Sequence, residues 1–319
     1  MSIYQLLRLL SDGCFHSGSE LGERLGLSRT SIWKTLSQLN EFPIELEVVK
    51  GKGYRIHGGL DLLDQDKLQA LLTADASNCC SLETLLSCTS TNDYMSSKII
   101  DFIDGRYQVC FAEVQSAGRG RRGRAWVSPF AENIYMSVGF KVQGGVEALS
   151  GMSLVVGLAV ASALTEMGVE DCFVKWPNDV LVGGKKISGV LIELQGEATT
   201  GWDVVCGIGL NVSMSKAQGK DIDQDWMALK ECLAVDRNTV AAQVLNSLIR
   251  YLQDYKHKGF ACFADHWRRY DYLYGKELQI SPSGVIGLGA GVDAHGALIL
   301  DVAGEAVLVN AGEASVRRL

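Results

Sequence analysis

Between residues 118 and 126 the chain reads Gly-Arg-Gly-Arg-Arg-Gly-Arg-Ala-Trp. Glycines let a backbone approach a ligand closely and accept positive φ. Arginines present planar donors that fit carboxylate and phosphate. The combination suits a flexible basic lid over an anion. Four arginines within six residues stand out in a chain of net charge −7. A solvated basic surface loop is the plainer alternative. Gly118, Gly120 and Gly123 also satisfy GxGxxG, a weak signal by itself. A dinucleotide site needs a helix after the third glycine, and Trp126-Val127-Ser128-Pro129 stands there instead.

A second cluster is Lys175-Trp176-Pro177-Asn178-Asp179, then Val180-Leu181-Val182, Gly183-Gly184 and Lys185-Lys186-Ile187. Gly-Gly between apolar runs predicts a two-residue hairpin turn. In that register Val182 faces Lys185 and Leu181 faces Lys186. Asp179 then lies diagonal to Lys186 on the same face. One carboxylate and one ammonium converge at one end of a sheet, a pair that could serve phosphoryl chemistry or merely decorate a surface hairpin. No GxxxxGK[ST] phosphate loop occurs.

These groups need a scaffold. From about residue 67 the pattern alternates helices (67–74, 92–103, 151–167, 238–257) with strands (109–114, 133–140, 172–176, 189–195, 203–210). That predicts a mixed α/β domain over 67–270 with one main sheet. The last segment, 273–319, offers short glycine-punctuated strands at 277–281, 284–289, 297–302, 305–310 and 313–318. The fold class is α+β.

Residues 1–60 form a separate module. Ile3, Leu6, Leu7 and Leu10 share one helical face, and Asp12-Gly13 ends that helix. Ser17-Gly18-Ser19-Glu20 reads as a capping box for a second helix, with Leu21 and Leu25 buried. Gly26 breaks it and Ser28 caps a third. There Ile32, Leu36 and Leu39 face inward, leaving Arg29, Thr30, Ser31, Lys34 and Gln38 on the other side. Polar side chains gathered at the start of such a helix suit base edges and phosphates in a major groove. A following hairpin, 44–49 and 54–56, turns through Lys50-Gly51-Lys52-Gly53. It reads as a wing that touches phosphate with Lys50, Lys52 and Arg55. A small protein-interaction domain is the plainer alternative. Seven Lys or Arg against six Asp or Glu leave this module at +1. Residues 58–66 read as a linker.

Composition narrows the class. Hydrophobic residues are 47% and charged residues 21%, so the chain can bury a sizeable core. Its acidity argues against a protein coated for non-specific nucleic-acid binding. The first ten residues lack a cleavable signal pattern. The most apolar run, Met152–Leu164, is about thirteen residues where a membrane span needs roughly 20, so it is expected to be a core helix. Nine cysteines without metal-type spacing suit reduced thiols, hence a cytoplasmic protein with no metal held by protein ligands.

The loop at 118–126, the run at 175–179 and Ser90-Thr91-Asn92 together resemble the signatures of biotin–protein ligases. With the N-terminal module, the chain resembles the bifunctional bacterial type, the biotin operon repressors. The resemblance spans essentially the whole chain. It implies condensation of biotin with ATP and Mg²⁺ to biotinoyl-5′-adenylate, then transfer to a lysine of a carboxyl carrier protein. It implies a winged helix-turn-helix, a catalytic domain of the biotin/lipoate ligase type and a small SH3-like C-terminal barrel. It also implies binding to operator DNA, a homodimer when adenylate is bound, and no membrane partner. Carried over by motif, Ser90, Thr91, Asn92 and Gln115 hold the biotin ureido end. Arg119, Gly120 and Arg121 hold carboxylate and adenylate, and Lys186 sits between carboxylate and α-phosphate beside Asp179. Gly207, Gly209 and Asn211 supply close backbone approach, and Trp226 stacks on adenine in a segment that orders on binding. Two other readings remain: a biotin-sensing transcription factor with little turnover, and a ligase for a related acyl group such as lipoate.

Overall fold

The computed structural model describes residues 3–197, 201–311 and 315–318. The N-terminal body contains α1 (Ile3–Leu10), α2 (Gly18–Leu25) and α3 (Arg29–Gln38), then β1 (Leu46–Val49) and β2 (Gly53–Ile56). Leu6, Leu7, Leu10, Leu21, Ile32, Leu36 and Leu39 are buried together, as their spacing predicts. The Ser17 hydroxyl accepts from the Glu20 N–H and the Ser28 hydroxyl from the Ser31 N–H, both at 3.1 Å. Gly26 closes α2 at φ +66°. The expected capping box is half replaced, because Glu20 turns its carboxylate to His16 and Arg24. β1 and β2 pair antiparallel from Leu46↔Ile56 to Val49↔Gly53.

Next come α4 (Gln65–Leu71), α5 (Ala74–Cys79), β3 (Cys80–Leu85), α6 (Thr91–Ser96), β4 (Tyr107–Ala112) and β5 (Ile134–Val142). They are followed by α7 (Met152–Glu166), β6 (Cys172–Lys175), β7 (Asp179–Val182), β8 (Lys185–Glu197), β9 (Gly201–Leu210), α8 (Arg237–Lys258) and α9 (Ala264–Tyr270). The central sheet has the order β3-β4-β5-β9-β8-β7-β6. Only β3 and β4 run parallel; the other neighbours are antiparallel. By composition Val146–Glu166 is long and apolar enough to cross a membrane. In the fold α7 is buried along nearly its whole length in the core that also takes in α8 and the sheet.

The last strands are β10 (Glu277–Ser281), β11 (Ile286–Val292), β12 (Leu298–Val302), β13 (Glu305–Val309) and β14 (Ser315–Arg318). They form one antiparallel sheet in the order β13-β12-β11-β10-β14, compatible with an SH3-like barrel. Of the strand expected at 313–318, residues 313 and 314 lie outside the described residues, as do 1, 2 and 319 of the end modules. Leu278, Leu298 and Leu300 join the central core, and the Trp176 indole N–H donates to the Gly296 carbonyl at 3.0 Å.

Three local expectations differ. The helix placed at 67–74 is split in two, because Thr73 N-caps α5. The helix at 92–103 stops at Ser96 and resumes as a single tight turn at Ile99–Asp101. Strand β3 and helix α9 were not anticipated.

The N-terminal body shares its core with the segments that carry the arginine loop. Val114, Phe130 and Ala131 pack in the same cluster as Leu6 and Leu7, and the Phe42 and Phe130 rings are 5.5 Å apart. The linker is tied down by a buried pair: Arg237 (0% exposed) and Glu113 (2%) at 2.8 Å. Glu113 also accepts the Leu63 N–H at 2.6 Å, and Arg237 reaches the carbonyls of Asp61 and Asn133. Removing one partner would leave the other buried and unpaired, a loss of about 3–5 kcal/mol.

His16 makes the N-terminal body sensitive to pH. Its ring is buried between two carboxylates: Nε2 is 2.9 Å from Asp12 and Nδ1 is 3.0 Å from Glu20. Both nitrogens need a hydrogen to make these bonds, so the imidazolium is the bonded form. Burial opposes the charge, the two carboxylates outweigh it, and the pKa rises above its ordinary 6.5. A raised folded pKa gives stability that is complete below the unfolded value and lost as pH rises through the folded one. The gap in thermal midpoint between wild type and His16→Gln should therefore be largest near pH 6 and shrink toward pH 9. A gap that does not change with pH would contradict this.

Candidate active site

One cavity of about 610 Å³ opens on the sheet face beneath the arginine loop. Every residue that the motifs single out for the ligase site lines it, from Ser90, Thr91 and Asn92 to Lys186 and Trp226. Its size falls within the range of small-molecule sites, roughly 300–1,000 Å³.

The hairpin sets the cation. Val182 pairs with Lys185 and Leu181 with Lys186, as Gly-Gly predicts, with Gly183 at φ +55° and Gly184 at +81°. A register shift between Val180 and Leu181 sets Asp179 opposite Gly189, one residue beyond the expected diagonal, yet the Asp179 side chain still reaches Lys186. Their charged atoms are 2.7 Å apart, and the side chains are only 15% and 21% exposed. The Lys186 ammonium also lies 5.5 Å from the Trp126 ring centroid.

The wall that carries Ser90, Thr91 and Asn92 is a chain of hydrogen bonds. Gln115 Oε1 accepts from the Thr91 N–H at 2.9 Å and from its hydroxyl at 3.2 Å, while its amide donates to Ser128. Ser90, at the start of α6, is buried and does not cap the helix. Ser137, fully buried on β5, sits 2.8 Å from the Thr91 hydroxyl and 2.6 Å from Asn92 Oδ1. Gly207 and Gly209 supply close approach, but to protein side chains. A Cβ on Gly207 would fall 2.2 Å from Asn92, and one on Gly209 2.3 Å from Trp126.

The arginine loop is a folded turn rather than an open lid. Arg119 and Ala125 form an antiparallel bridge, and the Gly120 N–H donates to the Arg124 carbonyl at 2.7 Å. Arg119 pairs with Asp93 and with Glu193. Arg121 is half-buried and donates to Asn178 at 3.3 Å and to the Ala311 carbonyl. Burial, with Arg122 beside it, lowers the Arg121 pKa.

Trp226 is buried with Gly219 against its ring and the Lys216 ammonium 4.0 Å from its centroid. Its segment folds onto the hairpin: the Lys186 N–H donates to the Asp225 carbonyl and the Met227 N–H to the Lys186 carbonyl. Asn211 fastens the same segment through Met227 and Leu229.

On the N-terminal body, Arg29, Thr30, Lys34 and Gln38 are exposed along α3, and Ser31 is half-buried against Ser28. Lys50 and Lys52 are exposed at the wing tip. Arg55 is committed within the wing, bonded to Glu47 at 2.6 Å and stacked over Phe15. Trp33, on α3 and 62% exposed, was not singled out by the sequence pattern. Nor were Trp126, Asn178, Ser137 and Glu193. The first two stand inside motifs that were read for other residues; the last two carry no local signal.

The fold and cavity define a protein ligase of the biotin/lipoate type joined to a helix-turn-helix body. Residues 86–211 match the biotin/lipoate A/B protein ligase family and residues 2–55 an HTH domain. The chain is 36% identical over 315 residues to the bifunctional ligase/repressor BirA of Salmonella typhimurium, covering 98% of this chain and 96% of that one. It is 32% identical over 260 residues to the biotin–[acetyl-CoA-carboxylase] ligase of Mycobacterium tuberculosis, covering 79% and 94%. The biotin protein ligase of Aquifex aeolicus, solved with biotin and ATP, is similar at TM-score 0.65 and 28% identity, covering 75% and 99%. This chain belongs to the bifunctional ligase/repressor family.

Gly207→Ala should displace Asn92 and deform the wall. Since Asn92 is fastened at both ends, it has no free rotamer to absorb the Cβ. The expected outcome is weaker biotin binding by calorimetry, by about tenfold or more, the effect of roughly 1.4 kcal/mol. Unchanged affinity would show that Gly207 does not shape the site.

Proposed function

We propose that this chain joins biotin to a lysine of a carboxyl carrier protein through biotinoyl-5′-adenylate, and represses transcription from a biotin operator when the adenylate is bound. The observation that carries the reading is the single cavity that gathers the Thr91–Gln115 wall, the arginine loop and the Lys186–Asp179 pair.

In the first step a biotin carboxylate oxygen attacks the α-phosphorus of ATP. The bond to the pyrophosphate oxygen breaks, pyrophosphate leaves, and a mixed anhydride remains. Two anions must meet, and negative charge builds on the phosphoryl oxygens. Lys186, held by Asp179 and the hairpin, is pre-placed to offset that charge. Arg121 supplies a second cation at the loop. Asn178 and the Ala311 carbonyl hold its guanidinium. Trp226 is the candidate adenine neighbour. Among the described residues no three His, Cys, Asp or Glu side chains converge on a metal position. Magnesium would arrive with the ATP phosphates, whose charge it neutralises. In the second step the carrier lysine amine attacks the anhydride carbonyl. An amide forms and AMP leaves.

The proposed organisation is a winged helix-turn-helix over 1–60, a ligase domain over 67–270 and a packing barrel over 273–319. The DNA face comprises Arg29, Thr30, Ser31, Lys34 and Gln38 with Lys50 and Lys52 of the wing; Arg55 supports the wing from within. A net charge of +1 makes one such body a weak DNA binder, and a two-fold dimer doubles its contacts. Dimerisation linked to adenylate, and work in the cytoplasm where ATP and DNA are at hand, belong to this reading.

Lys186→Ala should slow adenylate formation by on the order of 10²–10³, followed by pyrophosphate release, with the thermal midpoint little changed. Near-normal release would remove Lys186 from the mechanism. Replacing Thr30 and Lys34 together by Ala should weaken operator binding in a gel-shift assay and leave pyrophosphate release intact. Undiminished DNA binding would place another surface in the groove.

A further inference from the structure

Glu193 stands on β8, two residues past Leu191 of the cavity lining, and its side chain is 30% exposed. Its carboxylate serves two elements at once. Oε2 accepts from the Asn92 amide at 2.7 Å, and Oε1 lies 3.0 Å from Arg119 Nη2. The same guanidinium pairs with Asp93, the neighbour of Asn92 on α6. At its other end Asn92 accepts from Ser137 at 2.6 Å, and its amide nitrogen also lies 3.4 Å from the Leu191 carbonyl. The carboxamide of Asn92 is therefore engaged by protein on both ends, and the Arg119 guanidinium faces two carboxylates.

This arrangement changes what Arg119 and Asn92 can do. Arg119, Asp93 and Glu193 together carry a net charge of −1, so the one cation of this cluster is more than offset by protein carboxylates. Lys186 and Arg121 share a single carboxylate, Asp179, and so keep a net charge of +1 (two cations less one carboxylate).

We propose that Glu193 is a positioning residue that joins the wall of the cavity to the base of the arginine loop. It holds Asn92 as a fixed wall and Arg119 as the loop's anchor, so anion contacts fall to Arg121 and Lys186. The proposal rests on the reading of the cavity as a biotin site, and its two readouts separate the one from the other.

A double-mutant cycle in the full chain tests it, with Glu193→Gln, Arg119→Met and the pair. Glutamine keeps the size of Glu193 but offers one acceptor oxygen to two donors. The first readout is the rate of trypsin cleavage at Arg121–Arg124 without ligand, which reports opening of the loop. The second is pyrophosphate release with biotin and MgATP. Glu193→Gln should speed cleavage at least about fivefold. It should raise KM for biotin about tenfold while kcat stays within about threefold, the pattern of lost uniform binding. The pair should be no worse than the more affected single variant, because both substitutions break one contact. Independent, multiplying effects, or a Glu193→Gln chain with wild-type cleavage and KM, would overturn the proposal. A fall in kcat at unchanged KM would also overturn it. If Glu193→Gln fails to fold, Glu193→Asp, whose shorter side chain cannot reach both donors, carries the same cycle with Arg119→Met. Accelerated cleavage in a chain whose wild type does not act on biotin would refute the substrate reading and leave the anchor standing.

Discussion

Bringing one anion into bonding distance of another is the constraint on which the site depends, and this chain must do it with a net charge of −7. Cations therefore have to be concentrated and held still at one place. A flexible lysine on a surface would pay rotamer entropy each time it was used. Here the Gly183-Gly184 turn sets Lys186 opposite Leu181, and Asp179, at the start of β7, holds the Lys186 ammonium at 2.7 Å. The ion pair is partly buried, so salt screens it less than an exposed one. The sheet, the loop and the Trp226 segment are built round that ammonium.

The same loop reaches toward the DNA-binding end of the molecule. Val114 before it and Phe130 and Ala131 after it belong to the core of the N-terminal body. Glu113, one residue earlier, is locked to Arg237 and to the linker backbone. The two ends of the loop are thus packed between the cavity and the helix-turn-helix. Any ligand that prefers one arrangement of the loop biases whatever arrangement of that core goes with it, and the effect is reciprocal.

Much of this was legible in the sequence where the signal is local. Gly-Gly fixed the hairpin register, and serine caps marked the starts of α2 and α3. The Gly-Arg loop named the cavity's basic side. Strand β3 was missed because it is a sheet-edge strand in which Leu82 alone is buried, so no alternation stands out. Helix α9 follows the long α8 after a tight turn and carries only one buried apolar residue, Trp267. Glu193 and Ser137 read as ordinary strand positions, since their partners Asn92 and Thr91 lie far away in sequence. The pairing of Glu113 with Arg237, across 124 positions, is equally silent to local pattern. The carboxylates of Asp93 and Glu193 beside Arg119 were silent for a related reason: composition shows that a loop is basic but not which of its arginines stands next to an acid.

The most direct test of the account is to incubate the protein with MgATP and either biotin or lipoate, without carrier, and follow pyrophosphate release and protein-bound products by mass spectrometry. The account predicts a single turnover with biotin that leaves biotinoyl-5′-adenylate in the cavity, discharged when a carrier-domain lysine is added. It predicts little release with lipoate. No adenylate from biotin, or equal release with both acids, would contradict it.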